Sequence, residues 1–171
     1  MSPTSQTIAR RLDTFSIASG KLASWLTLFM VLNTVVIVVL RYLFDIGSIW
    51  LQESLVWMHA VVFMLGAAYT LQQDEHVRVD VFYSGMSERH RALVNGIGVL
   101  VFLFPLCGYL FYEGFEYVGR AWSIREVSRE TGGLPYPAVP LLKTVLLLMP
   151  LALILQGLSM LLRAFNTLRR I

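Results

Sequence analysis

Charged residues are scarce in this sequence: they make up 15% of its 171 residues, whereas soluble globular proteins carry about 25%. Hydrophobic residues reach 56%, which is more than a soluble domain of this size can hide in one core. They are gathered into four blocks of about 20 residues, each long enough to cross a hydrocarbon layer of roughly 30 Å as a helix. The composition therefore predicts an all-α integral membrane protein with four transmembrane helices.

Cysteine is almost absent, since Cys107 is the single one and lies inside the third apolar block. One cysteine cannot build a disulfide framework or a thiolate metal cluster within the chain. The sequence also lacks a metal-ligand cluster, a nucleophile with a base at usable spacing and a glycine-rich phosphate loop. It therefore predicts neither an enzyme nor a cofactor site in this chain.

The four blocks predict a single membrane domain over residues 1–171, with spans at about residues 20–41, 49–71, 92–116 and 141–163. The short connection after the first span makes the first two spans an antiparallel hairpin. Before the first span, residues 4–17 place Ile8, Leu12 and Phe15 at helical spacing, with Arg10, Arg11 and Asp13 on the other side. This pattern favours an N-terminal amphipathic helix on the membrane surface over a frayed tail.

Lysine and arginine are distributed unevenly between the two sides of the predicted spans. Nine lie on the side of the termini and five lie on the other side, so the positive-inside rule places both termini in the cytoplasm. The charged segment between the second and third spans is then cytoplasmic as well. Because the basic residues cluster beside spans, the net charge of +3 indicates topology and not nucleic-acid binding.

The second span carries small and polar residues on one stripe. Gln52, His59 and Gly66 recur every seven residues, which returns them to nearly the same side of a helix, and Glu53 lies on the adjoining stripe. Helix contacts inside a bilayer rely on small and hydrogen-bonding side chains. This side of the second span is therefore predicted to face protein and not lipid, and Asn33 in the first span is predicted to be buried.

Two residues of the second span have a chemical alternative to a structural role. His59 is the only histidine within a span, and a heme with two histidine ligands would need its second ligand from a partner chain. A hydrogen bond between helices is favoured over ligation. Glu53 lies near the start of the helix, where the helix dipole stabilises a carboxylate. A proton relay would need further ionisable groups in the spans, so a structural role for Glu53 is favoured.

The connection after the third span carries charges of both signs. The first of them continue the helical spacing of that span, so the helix is predicted to project from the outer membrane face. Mixed charges suit weak, salt-sensitive docking of another protein on that side of the membrane, and the alternative is a solvated loop without contacts. The docking candidates are Glu113, Glu116, Arg120, Arg125, Glu126, Arg129 and Glu130.

Two segments around the second span carry a recognisable pattern. The first is Trp50-Leu51-Gln52-Glu53, and the second, at 66–80, ends in His76-Val77-Arg78-Val79-Asp80. Both resemble the small permease subunit of tripartite ATP-independent periplasmic (TRAP) transporters, whose signature is His-(aliphatic)-x-Val-Asp. The sequence departs from the family pattern at Gln52, where the first acidic residue of a pair is expected. The segment at 132–136, Gly-Gly-Leu-Pro-Tyr, looks like the branch labelled for mannitol or chloroaromatic compounds.

The resemblance implies a secondary importer of three parts in the bacterial inner membrane. A periplasmic binding protein would capture an organic acid, and a large permease subunit would move it by an elevator motion coupled to sodium. The sodium and substrate sites would lie on the large subunit, with none in this chain. This chain would enlarge the fixed scaffold and help to receive the periplasmic binding protein at the charged docking candidates. The candidates for structural or partner contacts are Asn33, Trp50, Gln52, Glu53, His59, Gly66, His76, Arg78 and Asp80.

Two other functions remain open from the sequence. The chain could be the membrane anchor of a respiratory oxidoreductase, with His59 as a heme ligand shared with a partner. It could also be a self-sufficient small transporter or channel, but the spans lack the ion-binding groups that this function needs.

Overall fold

The computed structural model describes residues 3–73 and 83–170, with side chains for 11–73 and 83–169. Within these residues the backbone is helical apart from short connections, as predicted for an all-α protein. Four helical stretches are long and apolar enough to cross a membrane. The elements are α1 (Pro3–Phe44), α2 (Ile49–Gln72), α3 (Glu88–Gly98), a π-helical turn (Val99–Leu103), α4 (Phe104–Ser123) and α5 (Ala138–Arg170).

Helix α1 is a single helix of 42 residues, about 60 Å long at 1.5 Å per residue. It corrects the prediction of a separate interfacial helix, because residues 4–17 are simply its first turns. Beyond Pro3 the helix contains no proline, and a lone glycine such as Gly20 costs only about 1 kcal/mol, so nothing in the sequence separates the two parts. Asp13, which was predicted to point away from the membrane, is buried against α5.

Helices α1 and α2 form the predicted antiparallel hairpin. Asp45 ends α1 in the left-handed region with φ of 55°, a conformation that Asp tolerates better than most residues. Ser48 then caps α2, because its hydroxyl accepts the N–H of Leu51 at 3.4 Å. We call the side of the bundle with residues 45–48 and 124–137 the loop side, and the opposite side the terminal side.

Helix α5 lies at the centre of the bundle and packs against α1, α2, α3 and α4. Glycine permits the close approach of its neighbours, because a Cβ on Gly157 would lie 2.7 Å from Leu103 Cδ2 and 2.9 Å from Phe104 Cε1. Small residues at such crossings are typical of helix contacts in membranes, where backbones must approach closely to gain dispersion energy.

The π-helical turn ends at Leu103, two residues before Pro105. Proline lacks the N–H of a regular helix bond, and its ring clashes with the carbonyl four residues earlier. The wider turn relieves this clash, and the N–H of Phe104 bonds to the carbonyl of Val99. Helices α3 and α4 thus follow one another as one stretch that is long enough to span a membrane.

Candidate functional site

One face of α2 is uncovered by the rest of the described chain. Its side chains are exposed, and a Cβ at its glycine would meet nothing within 4 Å. The opposite side of the helix buries Val61 and Ala68 against the bundle. The uncovered residues, which we call the outward face of α2, are Gln52, Val56, His59, Phe63 and Gly66.

The outward face of α2 differs in chemistry from the exposed side of α1. The exposed side of α1 within its span is mainly apolar, with Leu22, Trp25, Phe29, Leu32 and Val36 among its residues. Its exposed polar side chains are hydroxyls that donate to carbonyls of their own helix, namely those of Ser24, Thr27 and Thr34. Hydrocarbon solvates such a surface without cost, whereas the amide of Gln52 and the imidazole of His59 lose hydrogen bonds there. The two helices therefore present one lipid-compatible face and one face that favours a polar partner.

His59 lies near the middle of the outward face, and its ring is exposed. Within the described residues no hydrogen bond to the ring is formed, so the hydrogen bond expected of this histidine has to come from a group outside those residues. The described part of the chain also contains no group of three residues able to hold a metal ion.

Asn33 lies inside the hairpin and not on its surface. Its amide nitrogen donates to the carbonyl of Leu51 at 3.0 Å and to the hydroxyl of Ser54 at 3.1 Å. This residue joins α1 to α2 within the chain. Of the two predicted roles, structural contact and partner contact, this geometry fits the structural one. Trp50 lies nearby at the loop-side end of α2 and is half-exposed, a typical position for an interfacial aromatic ring.

Glu53 attaches the loop after α4 to α2. Its Oε2 accepts the backbone N–H of Leu134 at 2.6 Å, and its Oε1 accepts the hydroxyl of Ser128. The loop packs so closely here that a Cβ on Gly133 would overlap with both Ser128 and Glu53. Trp57, one turn further along α2, donates to the carbonyl of Ala138 at 3.1 Å. Both carboxylate oxygens are thus occupied by the loop, a geometry that supports a structural role for Glu53.

The charged residues after the third span lie on the loop side, and all but one are exposed. Glu126 is the exception, because it forms an ion pair of 2.6 Å with Lys143, whose ammonium group also lies 4.0 Å from the centre of the Tyr117 ring. The six exposed candidates are Glu113, Glu116, Arg120, Arg125, Arg129 and Glu130. His76, Arg78 and Asp80 of the family signature lie outside the described residues.

Sequence reasoning missed a buried polar cluster that joins α1 to α5. Asp13 Oδ1 accepts Gln156 Nε2 at 3.2 Å and Ser159 Oγ at 3.0 Å, while Oδ2 pairs with Arg163. Ser16 Oγ donates to Gln156 Oε1 at 2.8 Å. The signal was present in the spacing, because residues 156, 159 and 163 share one helix face, as do residues 13 and 16.

Comparison with known proteins gives one match. A family model described as "Tripartite ATP-independent periplasmic transporters, DctQ component" matches residues 30–169. This range runs from the middle of α1 to the end of α5. Neither the comparison with curated proteins nor that with solved structures gave a match.

Proposed function

This chain belongs to the DctQ component family of TRAP transporters, so it is a transporter component and not an enzyme, and we propose that it holds the large permease subunit through the outward face of α2. In this proposal the chain forms part of the fixed scaffold, while the large subunit carries the substrate and sodium sites. The imported solute would be an organic acid or a related compound. The chain would span the bacterial inner membrane with both termini in the cytoplasm.

The observation that supports this function is the uncovered face of α2, which carries Gln52 and His59, beside an exposed side of α1 whose hydroxyls are already bonded within their own helix. Gln52 and His59 need hydrogen-bond partners that lipid does not provide, and the open space at Gly66 lets a second backbone approach closely. A neighbouring membrane subunit satisfies both requirements. The alternative of a heme-bearing anchor depended on His59 alone, and the family assigns the chain to a transporter.

A pair of matched glycine variants tests this interface. Gly66→Leu places a bulky side chain on the outward face of α2, whereas Gly108→Leu makes the same change on α4; at both positions a Cβ would meet no described atom within 4 Å. We expect Gly66→Leu to reduce co-purification of the large subunit severalfold and Gly108→Leu to leave it unchanged. Both variants should retain the thermal stability of the isolated chain, because there is open space around the Cβ at both positions.

The opposite result would refute the proposed interface. If Gly108→Leu disrupts the complex and Gly66→Leu does not, the large subunit binds near α4. His59→Leu provides an independent test, since it removes the polar group while keeping an apolar side chain of similar size. It should weaken the complex without changing the fold of this chain.

We also propose that the loop side helps to receive the periplasmic binding protein. Support comes from the exposed charges of both signs around the end of α4, which favour weak and salt-sensitive association. The variant Arg129→Glu should slow uptake in proteoliposomes that contain both membrane subunits and the binding protein, most strongly at low salt. Arg89→Glu makes the same charge change on the terminal side and serves as the control. Equal effects of the two variants would count against docking at this loop.

A further inference from the structure

A cavity of about 480 Å³ opens on the terminal side between α2, α3 and α5. Its size falls within the range of small-molecule sites, roughly 300–1,000 Å³. All three helices contribute residues that stand at the ends of the apolar blocks, so the cavity lies where a membrane leaflet meets water. Its walls include Leu71, Gln72, Arg91, Asn95, Met160 and Arg163.

Two guanidinium groups line the cavity and supply its hydrogen-bond donors for an anion. Arg91 donates through Nε to the carbonyl of Tyr83 at 3.2 Å and through Nη2 to the carbonyl of Ser84 at 2.7 Å. It forms no ion pair with a carboxylate of the described residues, although Glu88 also lines the cavity. Arg163 pairs with Asp13 through one nitrogen only, and 56% of its side chain is exposed. A guanidinium has five N–H donors, so both arginines keep donors for an anion.

Gln72 contributes a hydrogen-bond acceptor, whereas the two arginines contribute donors. Its Oε1 is buried and has no hydrogen-bond partner among the described residues. A buried carbonyl oxygen without a donor costs about 1–3 kcal/mol, so a ligand whose hydroxyl or amine displaced the surrounding atoms and reached this oxygen would improve the site. The cavity thus combines groups that bind an anion with an acceptor that needs a donor.

The remaining wall is apolar and comes from Leu71, Ala92, Met160 and Ala164. The polar residues of the cavity would contact a lipid headgroup, and the apolar wall would contact the first carbons of its acyl chains. A free phosphate ion would make no favourable contact with the apolar wall. Basic pockets between membrane helices are recurrent sites for anionic lipid headgroups. We propose that this cavity binds a phosphodiester whose headgroup carries a free hydroxyl, supplied by an anionic phospholipid of the leaflet on the terminal side.

Native mass spectrometry and thermal unfolding of the full chain in detergent test this site. The probes are dioctanoyl phosphatidylglycerol, dioctanoyl phosphatidylcholine and glycerol 3-phosphate. We expect one tightly bound phosphatidylglycerol and a raised midpoint of unfolding, with little effect of the other two probes. Equal binding of phosphatidylcholine, or an equal shift with glycerol 3-phosphate, would overturn the proposal of an anionic lipid.

Two variants separate binding from folding. Arg91→Gln should weaken phosphatidylglycerol binding about fivefold, as expected for the loss of one basic residue near an anionic headgroup. Thr167→Glu places a carboxylate in the cavity, where Thr167 lies among the lining residues. Thr167→Glu should abolish the rise in the unfolding midpoint that phosphatidylglycerol causes. Without lipid, the midpoint of this variant should be unchanged or higher, because the new carboxylate takes the place of the phosphate.

Arg169→Gln is the matched control, since it removes the same charge from the same end of the molecule outside the cavity, where Arg169 stacks on Phe165. It should leave phosphatidylglycerol binding unchanged. A loss as large as that of Arg91→Gln would show that the lipid responds to overall charge, and undiminished binding by Thr167→Glu would place the lipid elsewhere. Either result would refute the site.

Discussion

Asp13 and Arg163 form an ion pair between side chains 150 residues apart, and it joins the first turns of α1 to the last turns of α5. The remaining oxygen of Asp13 is occupied by Gln156 and Ser159. The carboxylate is therefore satisfied on all sides by one helix. The pair fixes how the hairpin of α1 and α2 is seated on the rest of the bundle.

Removing the carboxylate of Asp13 should lower the stability of the helix bundle. Asp13→Ala leaves the amide of Gln156 and the hydroxyl of Ser159 buried without their acceptor, and we expect a loss of about 2 kcal/mol in the free energy of unfolding. Because Arg163 remains in contact with water, the loss stays below that for a fully buried pair. Unfolding in sodium dodecyl sulfate measures it. Ser24→Ala is the control, since the hydroxyl of Ser24 donates to the carbonyl of Gly20 in its own helix; equal stability of the two variants would contradict the expectation.

Gly20 should tolerate no side chain. A Cβ there would overlap with the base of the Tyr69 ring, which cannot move without displacing α2, so Gly20→Ala should cost about 1–3 kcal/mol. The double variant with Tyr69→Leu should recover part of that loss, and a double-mutant cycle measures the coupling. Gly66→Ala is the control, because space at Gly66 is open. Strict additivity of the two changes would show that the crossing is not tight.

Glu53→Gln should release the loop after α4 while the helices stay intact. In the neutral amide an NH2 group replaces one of the two carboxylate oxygens, and this group cannot accept the N–H of Leu134 or the hydroxyl of Ser128. We expect hydrogen exchange at residues 126–136 to rise severalfold, with exchange in α2 unchanged elsewhere. Glu130→Gln, which changes an exposed carboxylate of the same loop, serves as the control. If exchange is unchanged in both variants, the loop is held by other contacts.

The same variant distinguishes a structural role from a role in ion coupling. With Glu53→Gln, the amount of assembled complex should fall, while the sodium dependence of uptake per complex should stay the same. Uptake in proteoliposomes over a range of sodium concentrations measures both quantities. A changed sodium dependence at normal complex levels would contradict the structural role.

The topology can be tested without first removing the native cysteine, because Cys107 is buried. A membrane-impermeant maleimide should label Glu130→Cys in intact spheroplasts. Arg169→Cys should react only after permeabilisation. The wild-type chain should remain unlabelled in both conditions. Reversed labelling of the two variants would place the termini outside the cytoplasm.

The sequence predicted the helical spans because bilayer thickness alone sets their length and composition. It also predicted the polar stripe of α2, since helical spacing brings Gln52 and His59 to one side. It could not predict the position of Asp13, because a charged residue before a span is ordinarily solvated and its partners lie in the last helix. For the same reason Glu53 was expected near the interface, whereas its hydrogen bonds to a loop that follows two helices later came only from the structure.

The polar contacts of Asn33 and Asp13 also impose an order on the assembly of the helices during biosynthesis. The hairpin of α1 and α2 contains its own polar contacts, including Asn33 with Ser54, so it can form as soon as the second helix leaves the ribosome. Asp13 has to wait until α5 has been made before its carboxylate meets Arg163. During translation the first helix therefore carries a charge that the nascent chain cannot neutralise through this pair. Closure of the bundle is consequently the last step of its assembly in the membrane.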